Sequence, residues 1–182
     1  MKKFFKFGCL GVIGLVVLIV IIGIVGSSGG DDKVSTGAKP ATTDAKKETP
    51  KDDGSKKIDA SKQQKEILGL KVGLGEIKIK KDKIQVGINL ENTTKKKLSF
   101  YPDQGSAVIG DMQIDANLFL TDGKVGGDIQ GGVKQDGVIE FLAPDNKEID
   151  VKSVKEIKLI FGDVTTDDYM NSKEVEFAIP VK

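Results

Sequence analysis

Residues 84–91 read Ile84-Gln85-Val86-Gly87-Ile88-Asn89-Leu90-Glu91. Large apolar side chains alternate with polar or small ones, which in an extended strand places one set on each face. A helix would need apolar residues three and four apart instead. The alternation recurs at Ile157-Lys158-Leu159-Ile160-Phe161 and at Val175-Glu176-Phe177-Ala178-Ile179-Pro180-Val181. Pro180 has no amide proton to give a ladder, so this last strand is expected at a sheet edge or to end there. Ile77 and Ile79 make a shorter copy, joined to the first strand by a hairpin candidate at Lys81-Asp82. Weaker strand segments are Leu68–Val72, Leu98–Tyr101, Ala107–Ile109, Met112–Ile114, Leu118–Leu120 and Val138–Leu142. Turn residues fall between them, at Asn92-Thr93-Thr94, Pro102-Asp103-Gln104-Gly105, Asp122-Gly123, Asp136-Gly137 and Pro144-Asp145-Asn146. Many short strands separated by turns predict an all-β fold, an antiparallel β-sandwich. Only Ser61–Leu68 carries a helical-turn signal.

The chain before this region has a different texture. Lys2, Lys3 and Lys6 give residues 1–6 a charge of +3, and no charged residue follows until Asp31. The apolar run Phe7–Gly26 is 20 residues long. As a helix it would measure about 30 Å, the thickness of a bilayer's hydrocarbon core. It exceeds the apolar region of a cleaved signal peptide, so residues 7–26 are expected to be one transmembrane helix, an uncleaved signal anchor. The basic residues stay cytoplasmic, which puts the C-terminal part outside. Release by cleavage near Gly26 is the alternative. Cys9 stands at the start of the apolar run, ahead of its Leu10–Val25 heart, where lipoprotein processing does not act. It reads as a small thiol at the inner end of the helix, with S-acylation the alternative.

Residues 27–63 are mostly Gly, Ser, Thr, Ala, Pro, Lys and Asp, with eight lysines against seven acids. Such a segment cannot bury enough apolar surface to offset the entropy of ordering, so a disordered linker is expected. The domain is expected from residue 64 to 182, with 17 lysines against 20 acids. A charge of −3 is the wrong sign for a nucleic-acid surface.

Composition removes whole classes of chemistry. The sequence has no histidine, arginine or tryptophan, and one cysteine. Serine or cysteine nucleophiles activated by histidine and imidazole-held metals are excluded, as is a disulfide within the chain. A glycosidase built on two of the many carboxylates would also want stacking surface. The domain has only five Phe and two Tyr, mostly at inward-facing positions.

Two stretches carry a resemblance. Ile84-Gln85-Val86-Gly87-Ile88-Asn89-Leu90-Glu91-Asn92-Thr93-Thr94 is an apolar strand ending in Asn-x-Thr. Gly131-Gly132-Val133-Lys134-Gln135-Asp136-Gly137-Val138-Ile139-Glu140-Phe141-Leu142-Ala143-Pro144 follows a Gly…Gly-x-(Val/Ile)-x-Phe-x-x-Pro pattern. Together with the basic start, apolar run and polar linker, these resemble the DUF4352 group of bacterial envelope proteins, which are telokin-like. The resemblance implies an immunoglobulin-like sandwich exported by a Gram-positive-type bacterium. It carries over no activity and no catalytic residue.

The candidate sites follow from residue type. Asp122 with Asp128, and Asp163 with Asp167 and Asp168, are loop carboxylates of the kind calcium takes, though without EF-hand spacing. Turn capping is the alternative use of the same acids. Gly126, Gly127, Gly131 and Gly132 flank Asp128-Ile129-Gln130 and read as bulges and tight bends, or as a binding loop. Tyr101 and Tyr169 are the candidates for aromatic contact with a partner. No other cofactor is implied. The expected function is a membrane-anchored extracytoplasmic binding module without catalytic activity. Its partners would be the bilayer, through residues 7–26, and an envelope protein or ligand. The alternative is a secreted soluble binding protein or effector.

Overall fold

The computed structural model describes residues 34–38 and 54–182. The expected membrane span and Cys9 lie outside them. Among the described residues no helix is long and apolar enough to cross a membrane. Twelve strands are present: β1 Lys56–Asp59, β2 Gln64–Ile67, β3 Leu70–Ile79, β4 Lys83–Asn92, β5 Leu98–Phe100, β6 Ser106–Ile109, β7 Met112–Asp115, β8 Asp122–Gly123, β9 Gly127–Ile129, β10 Lys134–Leu142, β11 Glu156–Thr166 and β12 Ser172–Pro180. One sheet runs β1-β3-β4-β10-β8, with β2 also on β3. The other runs β7-β6-β11-β5-β9, with β12 also on β11. All pairings are antiparallel.

The period-two rows become the inner faces of this two-sheet sandwich. Ile84, Val86, Ile88 and Leu90 of β4 are buried, with Leu70, Val72, Leu74, Ile77 and Ile79 of β3 beside them. The second sheet contributes Ile157, Leu159 and Phe161 of β11 and Val175, Phe177 and Ile179 of β12. Phe161 and Phe177 meet edge to face, their centroids 6.2 Å apart. Each such side chain contributes about 1.5–3 kcal/mol on leaving water. β12 pairs only with β11 among the described strands, and Pro180 is its last residue, so both readings of that proline hold.

Three expectations are revised. Of the predicted segment Leu68–Val72, Leu68-Gly69 form the turn after β2, while Leu70–Val72 and Ile77–Ile79 belong to one strand, β3, in which a bulge at Gly75-Glu76 shifts the register between Leu74 and Ile77 and breaks the visible alternation. The helical turn at Ser61–Leu68 is instead a turn followed by β2, whose hydrogen bonds come from β3 and override local propensity. The domain also begins earlier than residue 64. β1 lies inside the expected linker, where only Ile58 packs against the core and the lysines hide the pattern. Val34–Ala38 lies against β3 and β4, with the Ser35 carbonyl accepting from Glu76 N–H at 2.7 Å.

The Asn-x-Thr sequence after β4 has a structural role. Asn92 is fully buried. Its Nδ2 donates to the carbonyls of Lys96 at 2.8 Å and Ile129 at 2.9 Å, and its Oδ1 accepts from the Thr94 N–H at 3.0 Å and hydroxyl at 2.8 Å. β4 in one sheet is thereby tied to β9 in the other. Asn92→Ala would take the side-chain donor from the Ile129 carbonyl and the acceptor from the Thr94 N–H, leaving the Lys96 carbonyl only the Thr94 hydroxyl at 2.9 Å; each buried group left unsatisfied costs about 1–3 kcal/mol. Urea unfolding should show a loss of about 3 kcal/mol with the fold retained; a loss below about 1 kcal/mol would contradict this role.

Candidate binding surface

β7 is the edge strand of the second sheet, and the chain leaves it by crossing to the first. Ala116 bridges to Phe141 of β10, and Asn117 N–H donates to the Glu140 carbonyl at 2.7 Å. A few residues later β8 returns to the same edge, Asp122 opposite Val138 and Gly123 opposite Gly137. The residues between these two attachments have no place on the edge and are pushed outward. Asn117 shapes them into a compact turn: its Oδ1 accepts Phe119 N–H at 3.0 Å and its carbonyl accepts Leu120 N–H at 3.0 Å. Asn is suited to this because its short side chain can mimic a backbone turn.

The turn carries Leu118, Phe119 and Leu120, which are 50%, 88% and 45% exposed. The segment predicted as a weak strand is thus a turn showing apolar side chains to solvent. Four of the five domain phenylalanines are buried, and Phe119 is the exception. A groove of about 430 Å³ runs beside it, lined by Ile114, Asp115, Leu118, Phe119, Leu142 and Pro144 among others. Asp115 is its one charged lining residue. Exposed apolar side chains grouped on one feature mark contact sites, whereas scattered ones do not.

A larger cavity, of about 580 Å³, lies between the β6–β7 hairpin and residues 148–156. Asp111, Glu148, Asp150 and Glu156 line it. Glu148 pairs with Lys81 at 3.4 Å, and Asp150 caps its own turn through Lys152 N–H at 3.2 Å.

The acids predicted as calcium ligands have other partners. Asp128 and Asp167 do converge, but Lys97 Nζ stands between them, 3.0 Å from Asp128 and 3.9 Å from Asp167. Asp128 also accepts the Ser99 hydroxyl at 2.7 Å. Asp163 accepts the Ser172 hydroxyl, and Asp168 caps its turn through the Thr166 hydroxyl and Met170 N–H. Asp122 Oδ1 accepts Gly123 N–H. Among the described residues no group of three or more His, Cys, Asp or Glu is placed to hold a metal ion.

The glycines are explained by backbone. Gly126 and Gly127 have φ of 88° and 86°, and a Cβ on Gly126 would meet the Phe100 carbonyl oxygen and Pro102 Cδ. Gly126 N–H donates to buried Gln135 at 2.8 Å. Gly131 abuts the Lys95 backbone, and Gly132 turns with φ 78°. Tyr101 is half exposed beside this loop. Tyr169 stands at the β11–β12 tip, 73% exposed beside Met170, which is 80% exposed.

No family model matches the chain and no curated protein matches it. Solved structures resemble it weakly. One is a functionally unknown protein from Listeria monocytogenes EGD-e, at 15% identity over 66% of this chain and 82% of that one, TM-score 0.47. Another is the yjhA protein from Bacillus subtilis, at 10% identity over 66% and 96%, TM-score 0.43. A conserved domain protein from Bacillus anthracis is 16% identical over 70% of this chain and 41% of its own, TM-score 0.42.

Two predictions follow from this geometry. Tyr169 holds a left-handed φ of 58°, which costs a side-chain-bearing residue about 1 kcal/mol or more. Tyr169→Gly should therefore raise unfolding free energy by about 1 kcal/mol, and a fall would show that its ring packs usefully. The second concerns pH. The Ser99 hydroxyl and then Lys97 hold the Asp128 carboxyl below its usual value, and the Thr166 hydroxyl and Met170 N–H do the same for Asp168. Carboxylates lowered on folding stabilise the native state above their unfolded pKa, and lose that contribution as pH falls through the folded value. With no histidine in the chain, the melting temperature should be level from about pH 5.5 to 9 and fall below about pH 4. A step near pH 6.5 in thermal melts would contradict it.

Proposed function

We propose that the protein is a non-enzymatic binding module of the bacterial cell envelope, held by residues 7–26 as a single-pass anchor with its domain outside. The observation that carries the binding reading is the Asn117–Thr121 turn, whose three apolar side chains stand exposed beside a groove. Burying an aromatic side chain such as Phe119 removes about 150–250 Å² from water, enough to anchor a contact. With Asp115 as the only charge in the groove, the fitting partner is a protein segment offering an apolar side chain and a neighbouring lysine or arginine.

The immunoglobulin-like form and the DUF4352 resemblance belong to this proposal. The two stretches that resemble the family fall on β4 and β10, which pair over Lys83–Glu91 and support one another at the centre of the first sheet. The anchor reading rests on the uncharged run and the basic residues before it.

A photo-crosslinking residue in place of Phe119, in intact membranes, should capture a discrete partner, and Phe119→Asp should abolish complex formation by that partner. Stability should change by no more than about 0.5 kcal/mol, because the side chain is exposed. Adducts from position 169 with none from position 119 would move the contact to the β11–β12 tip. N-terminal sequencing of the mature protein tests the anchor separately: a start at Ser27 would establish the secreted form instead.

A further inference from the structure

The outer face of the first sheet is unusual for a solvated surface. Where β3 and β4 turn away from the core, they carry Gly73, Gly75 and Gly87, all buried. Over Gly75 and Gly87 the cover is the chain's own Val34–Ala38, and over Gly73 it is the Asn89 side chain. A Cβ on Gly75 or on Gly87 would collide with the Ser35 carbonyl oxygen. Neither glycine has a positive φ, so backbone conformation alone does not require glycine there. Their missing side chains serve the close approach of a second backbone.

The contacts are specific along the segment. Val34 is buried. The Ser35 carbonyl takes the Glu76 N–H, exposed by the bulge in β3, at 2.7 Å. The Thr36 carbonyl accepts Asn89 Nδ2 at 2.8 Å, and the Thr36 hydroxyl donates to Asp136 at 3.1 Å. Gly37 has φ 74°, and a Cβ there would come 2.7 Å from the Leu74 carbonyl oxygen. β3 and β4 thus supply a donor each and β10 an acceptor, around a floor bare of side chains at Gly75 and Gly87.

We propose that this face is a peptide-binding groove, selective for an extended apolar-x-Ser/Thr-Gly segment, and that residues 34–38 occupy it as a reversible latch. Asp136 reads the hydroxyl at the third position while Asn89 holds that residue's carbonyl, and the Leu74-Gly75 backbone with the left-handed φ excludes anything bulkier at the fourth. The latch concerns the domain alone.

Hydrogen exchange of the Glu76 amide in the full-length chain tests it. Gly37→Ala on the latch and Gly87→Ala on the floor should each speed exchange about tenfold, as expected for local opening. The double variant should be no faster than either, while the Ile88 amide stays protected. The octapeptide matching residues 33–40, added to the Gly37→Ala chain at about 1 mM, a concentration comparable to a short tether's, should restore protection. The same peptide with valine for Gly37 should not. Unchanged Glu76 exchange in the Gly37→Ala chain, or equal effects of the two peptides, would overturn the proposal. Because no partner or membrane enters this experiment, its failure is separable from failure of the binding and anchor readings.

Discussion

The buried amide of Asn92 is the tie on which the two sheets depend. Apolar rows can slide over one another with little penalty, since the hydrophobic effect has no direction. A buried amide with four hydrogen bonds cannot, because any shift leaves polar groups unpaired without water. Asn92 holds the end of β4 to β9 and to the turn after it. β4 is in turn laddered on both sides, to β3 and to β10. The position of β10, and of everything attached along its free edge, follows from that one junction.

That free edge produces the candidate surface. An open strand edge invites pairing with other chains, and native proteins cover it. Here the cover is the chain leaving β7, fixed to β10 at Ala116–Asn117 and again at Asp122–Gly123. The residues between are surplus to the edge, so they project. Edge protection and display of Leu118, Phe119 and Leu120 are one structural event.

The alternation at Ile84–Leu90, Ile157–Phe161 and Val175–Val181 was legible because period two survives wherever one face is buried and the other is not. It failed at β3, where the bulge inserts a residue, and at β1, where an edge strand rich in lysine has little apolar content. The site was less legible. Leu118-Phe119-Leu120 looks like a strand in sequence, since three apolar residues in a row do not reveal whether they face a core. The Asx signal of Asn117 ahead of them was the available hint. The glycines at 126–132 and the loop acids are candidates by residue type, yet Gly126 and Gly131 meet close backbone, Gly127 and Gly132 hold positive φ, and the acids take hydroxyl, lysine or turn N–H partners. Gly73, Gly75 and Gly87, by contrast, are spaced as outward strand positions, and nothing local says what crosses them.

By itself the sequence determined the class of fold and the absence of imidazole, guanidinium and disulfide chemistry, because these depend on residue identity and short-range period alone. It also set the charge contrast between the basic start and the acidic domain. Only the tertiary structure decided which apolar residues are displayed, where β10's edge is covered, that Lys97 sits between Asp128 and Asp167, and that residues 34–38 rest on a glycine floor. Each of these joins residues far apart in the chain. Their pairing is set by how two sheets twist and stack, and no local pattern encodes it.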